Sequence, residues 1–101
     1  MEAMEEYYYN RMVQIQKRQN AEFWHKSFQI AKKKDWTKEE YAKALKDLEA
    51  WVEEAKEEMR YYVKAYGYRR MVRVQTDLYM ETLGHWEFNL KESWKKIDRY
   101  K

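Results

Sequence analysis

The side chains able to do chemistry are few and scattered. Glu22 and His25 stand three apart, the Glu-x-x-His spacing with which carboxylate-bridged metal bundles project two ligands from one helix face. Such a centre needs a second copy of the motif and two further glutamates. The other histidine, His85, instead follows Glu81 by four residues, and Glu22 and His25 fall on the polar side of their helix. His25 and His85 could clasp a haem from two helices, yet nothing sets them at one level. Ser27 and Ser93, the only serines, lack the Gly-rich or strained turn that exposes a nucleophile. The absence of Cys excludes disulfides and thiolate chemistry. These residues predict no catalytic site, no metal and no cofactor, and therefore a chain that is not an enzyme. Arg69, Arg70 and Arg73 beside Tyr66 and Tyr68 could meet phosphates and stack bases. Because Asp77 and Glu81 follow directly and the net charge is only +3, nucleic-acid binding ranks behind protein binding.

The elements that must carry these residues are helices. With no Pro and two Gly, the chain has almost no punctuation for hairpins. Its 101 residues make one domain spanning 1–101. Lys plus Arg is 21 against Asp plus Glu at 18, a well-solvated surface rather than a polyelectrolyte. The apolar runs are too short for a signal peptide or a membrane span. We expect a soluble protein with no membrane partner, cytoplasmic if natural.

The clearest boundary is Asp35-Trp36-Thr37-Lys38-Glu39-Glu40-Tyr41, where Thr37 and Glu40 form a capping box and Trp36 and Tyr41 stand where a hydrophobic staple closes. Lys32, Lys33 and Lys34 before it suit the negative end of a preceding helix. From there Tyr41, Leu45, Leu48, Val52, Ala55, Met59, Tyr62 and Tyr66 recur at spacings of four and three, one stripe of a packed helix. Gly67 is expected to end it as a left-handed cap. In the last third, Val72, Tyr79, Leu83, Trp86, Leu90, Trp94 and Ile97 keep helical register through Gly84. A glycine there could let a backbone from another helix, or from a partner, approach closely. The prediction is an all-α, antiparallel up-down-up three-helix bundle, with helices at about 2–33, 37–66 and 68–100. One unbroken helix from Thr37 to about Tyr100, pairing as a dimer, is the alternative.

The middle helix reads as a scaffold, and its neighbours carry more apolar surface than a core requires. In the first helix Met4, Tyr8, Met12, Ile15, Phe23 and Ile30 form one face, and Tyr9, Val13, Ala21, Trp24, Phe28 and Ala31 form another. The third helix adds Met71, Val74 and Leu78, continued by Thr82, His85 and Asn89. It also opens with arginines, at the end where the helix dipole disfavours cations. The middle helix has six basic and eight acidic residues, the rest of the chain fifteen and ten, so a partner with an acidic rim is expected. The first and third helices run parallel, so their extra faces merge only in coupled choices. If Val72, Tyr79, Leu83 and Leu90 are core, Tyr8, Met12 and Ile15 should be buried with them. The outward patch is then Tyr9, Val13, Asn20, Trp24 and Phe28 with Arg70, Met71, Val74, Leu78 and His85. The opposite pairing would bury Val13, Trp24 and Phe28 and present Tyr8, Ile15 and Phe23 with Arg69, Arg73 and Met80. The first is preferred because its outward patch is the more apolar.

The segment from Asp35 to Glu49, DWTKEEYAKALKDLE, resembles the output of sequence design on an idealised helix. The whole chain resembles a computationally designed helical mini-binder. That resemblance implies a non-catalytic scaffold whose outer helices bury rings and Met against a target protein, with Arg at the rim. A natural small helical interaction protein or a homodimer is the alternative, and a nucleic-acid binder comes after it.

Overall fold

The computed structural model describes residues 3–100. Three α-helices, α1 (Ala3–Lys32), α2 (Lys38–Tyr66) and α3 (Arg70–Lys95), pack up-down-up, and a 3-10 turn (Ile97–Arg99) follows. The bundle measures 56 × 17 × 17 Å.

α2 begins as its capping box dictates. The Glu40 amide donates to Thr37 Oγ1 at 3.1 Å, and the Glu40 carboxylate accepts from the Thr37 hydroxyl at 3.0 Å and from Lys33 at 2.8 Å. Lys33 also lies 4.4 Å over the Trp36 ring, whose indole N–H donates to the Ile30 carbonyl. The α1–α2 turn is thereby folded back onto the end of α1. Trp36 meets Tyr41 edge-on at 5.8 Å, closing the staple.

The second turn corrects the sequence expectation. Gly67 is not left-handed: its φ is −69° and its ψ −7°. The glycine is needed for space, since a Cβ there would lie 2.4 Å from the Val63 carbonyl oxygen and 2.9 Å from Val63 Cγ1. α3 starts at Arg70, with no cap bond from its own Arg69 side chain. Glu5 of α1 supplies one instead, its carboxylate accepting from the Met71 amide at 3.3 Å. Arg69 is held between the rings of Tyr8 and Tyr68, at 4.7 and 5.0 Å, so packing accounts for one of the three unexplained arginines. At its far end α3 stops at Lys95, short of the expected Tyr100, and the 3-10 turn brings Asp98 within 3.0 Å of Lys38.

Two apolar clusters fill the bundle. One gathers Phe23, Leu48, Val52, Tyr79, Leu83, Trp86 and Leu90, with Phe23 stacked on Trp86 at 4.8 Å. The other gathers Met12, Met59, Tyr62 and Val72, with Tyr8, Tyr9, Ile15 and Tyr66 packed against it. Near the boundary between them sits Gln19, 1% exposed, whose spacing from Met12 and Phe23 puts it on the core stripe of α1. Its amide donates to the Ala55 carbonyl at 3.1 Å and to Glu58 at 2.9 Å, and its oxygen accepts from the Tyr79 hydroxyl at 2.8 Å. One side chain thus ties all three helices.

Candidate binding surface

The seam between each pair of helices has its own character. Across α1–α2, Arg18 pairs with Glu58, and the Trp51 indole donates to Glu22 at 3.1 Å. Across α2–α3, Lys56 pairs with Glu87, and the Trp94 indole donates to Glu49. Among the described residues no ion pair joins α1 to α3. Along its length that seam carries side-chain bonds between neutral groups, Gln75 to Gln16 at 3.1 Å and Tyr79 to Gln19, in addition to the Glu5 carboxylate that caps α3.

The α1–α3 seam also carries exposed apolar side chains, Trp24 at 49% and Leu78 at 58%, and Phe28 and Val74 are exposed on the same two helices. Two depressions open on it. Val13, Lys17 and Asn20 face Leu78 and Thr82 across one of about 300 Å³. Trp24, Ser27 and Ala31 border another of about 410 Å³ with Asn89 and Ser93 of α3, and it reaches in to Tyr41, Leu45 and Leu48 of α2. Asn20 accepts from the Trp24 indole at 3.2 Å, and Trp24 rests edge-on against buried Phe23 at 5.3 Å. The Trp24 ring is therefore held from two sides although half of it faces solvent.

Of the residues expected to form an outward patch, Val13, Asn20 and Leu78 share one depression and Trp24 lines the next. Phe28, Arg70, Val74 and His85 are exposed on the same two helices. Tyr9 and Met71 are only half-exposed; Tyr9 packs against the Met12 cluster, and Met71 sits at the start of α3 where Glu5 caps it. On the core side, Met12 and Phe23 are fully buried and Tyr8 and Ile15 partly so.

Reading α2 as a helix that only holds the fold misses a second surface. A groove of about 520 Å³ lies between α2 and α3 and is walled by Met59, Val63, Met80, Leu83 and Gly84. A Cβ on Gly84 would meet nothing within 4 Å; no backbone of this chain approaches it, contrary to one expectation for that glycine. The signal for this groove was the run Met80-x-x-x-Gly84 beside the α3 core stripe, where exposed Met precedes a residue with no side chain.

Glu22 and His25 are both exposed, with Glu22 engaged by Arg18 and Trp51. No group of three or more metal-ligating side chains converges among the described residues. Among the described residues no helix is long and apolar enough to cross a membrane. Neither a family model, a curated protein nor a solved structure matches the chain.

Proposed function

We propose that the chain is a non-catalytic protein-binding module, built as a designed mini-binder is built, which docks a target protein on the α1–α3 face. The observation that carries the reading is the exposed Trp24 and Leu78 along the only seam without an ion pair among the described residues, with Phe28 and Val74 exposed on the same two helices. A centre without ion pairs and with an oriented aromatic ring, Trp24, is what a protein interface favours, and two helices of this length can supply a standard contact of about 800 Å². α2 supports the design reading through its regular Glu, Lys and Ala exterior and its capping box. Arg70 at the start of the face suits an acidic rim on the target.

Two measurements test this. Light scattering coupled to size exclusion, at two concentrations, should give a monomer of 12.8 kDa. A concentration-dependent dimer abolished by Leu78→Glu would replace the proposal with self-association through this face. A displayed library of protein fragments sorted against the wild-type chain should yield binders that lose the Trp24→Ala, Leu78→Glu double variant. Binders indifferent to those changes would refute the assignment of the face.

A further inference from the structure

The α2–α3 groove lies outside the face assigned above and is different in kind. Its walls are apolar, with flexible thioethers on both sides in Met59 and Met80, and its volume of about 520 Å³ falls in the range of small-molecule sites. Gly84 opens the α3 wall: because a Cβ there would touch nothing, the missing side chain leaves room that the bundle itself does not fill.

The two ends of the groove are unlike. At one end Lys56 bridges α2 to Glu87 of α3 and also reaches Glu53 at 3.4 Å, an ion pair that straps the groove shut and consumes the charges there. Towards the α2–α3 turn the rim is cationic. Arg60 and Lys64 line it from α2, and Arg73 lies one turn before Thr76 on α3. Among the described residues Arg60 is paired with Glu57 alone, one turn back on its own exposed helix surface, and such pairs contribute little and are easily exchanged. Lys64 makes no ion pair among the described residues. The lining carries three cations against the single carboxylate of Glu87, which Lys56 already neutralises.

We infer that this groove binds a small single-headed anionic amphiphile, its apolar chain lying between Met59, Val63, Met80 and Leu83 over Gly84, and its carboxylate or sulfonate held by Arg60 and Lys64. From Lys56 to Lys64 the α2 wall is about 12 Å long at 1.5 Å per residue, enough for a medium-length alkyl chain but short for a docked helix. The headgroup stays at the open, solvated end, so its charge is not stripped of water, and the strap at Lys56 sets the depth of the chain.

The probe is sodium decanoate, titrated into the whole protein while amide shifts are followed by NMR. The Gly84 amide, in the groove wall, should shift saturably. The charge reversals Arg60→Glu and Lys64→Glu together, both at exposed positions, should weaken binding by about tenfold or more. Gly84→Leu, which adds a side chain into open space on a helix, should fold and block the site. Decylammonium should bind far more weakly than decanoate, and Leu78→Glu on the α1–α3 face should leave decanoate binding unchanged. Equal affinity for decylammonium, an unchanged affinity after charge reversal, shifts centred on Trp24 and Leu78, or no shift at Gly84 would each overturn the assignment.

Discussion

Gln19 concentrates the specificity of the fold in one amide. A buried amide that loses its partners incurs the full desolvation penalty, so truncating any member should cost more than the bond was worth. Tyr79→Phe leaves Gln19 Oε1 unpaired inside the core and should destabilise the protein by about 1–3 kcal/mol, read from urea unfolding at neutral pH. The same variant has a pH signature. Burial, then the nearby Glu58 charge, pushes the Tyr79 phenol well above its ordinary range, with Arg18 opposing. A phenol raised in the folded state contributes stability that is complete below its unfolded value of about 10 and is lost as pH rises beyond it. Tyr79→Phe should therefore flatten the alkaline loss, and an unchanged alkaline limb would show that the hydroxyl does not matter. Glu58 has the opposite sign. Burial raises its carboxyl, but hydrogen bonds from Arg18 and Gln19 outweigh that and hold it below the usual range. Its contribution is present above the unfolded carboxylate value of about 4.3 and is lost as pH falls through the lower folded one. Glu58→Gln should make the acid limb of the same urea series shallower. Gln19 was legible in principle, standing at the core spacing between Met12 and Phe23. Its partners were not, because the Ala55 carbonyl and the Tyr79 hydroxyl reach it only through packing.

The two glycines show how elements end and continue for different reasons. Both lie in or beside helical geometry, where propensity alone makes Ala better by about 1 kcal/mol. At Gly84 nothing opposes that preference, so Gly84→Ala should stabilise by about that amount. At Gly67 the added methyl would press on the backbone oxygen of Val63, which cannot swing away as a side-chain tip could. Gly67→Ala should destabilise by about 1–3 kcal/mol, even though φ is negative and suits any residue. Thermal melts of the two single variants should move in opposite directions; a common direction would mean that the turn relaxes to accept the methyl. The left-handed expectation for Gly67 failed because a glycine after a helix signals two physical needs, positive φ or close approach, and spacing does not distinguish them. The start of α2 was legible, since Thr37, Glu40, Trp36 and Tyr41 meet within one turn. The start of α3 was not, since its capping carboxylate, Glu5, comes from another helix.

At the scale of the whole bundle, the two apolar clusters should differ in how readily they open. The Phe23 and Trp86 cluster draws large side chains from all three helices and is backed by Trp51, 5.6 Å from Trp86. The Met12 and Tyr62 cluster is smaller and lies where α1 begins and the α2–α3 turn closes. Local stability follows the buried apolar contact each region can offer. Gln19 and Glu58, with Gln16 and Gln75 alongside, place a polar layer between the clusters whose bonds must be broken before one half can separate from the other. Amides of Trp51, Leu83 and Trp86 should therefore exchange only through global unfolding, while those of Met59, Tyr62 and Val72 exchange through a smaller opening that spares Trp86. Native-state hydrogen exchange across a denaturant series measures both. If Gln19 couples the halves, Gln19→Ala should leave the slowest amides governed by global unfolding and lower the opening energy of the Met12 half by more than it lowers the global value. An equal drop at both sets of amides would show instead that the three helices open as one unit and that the polar layer is not a boundary.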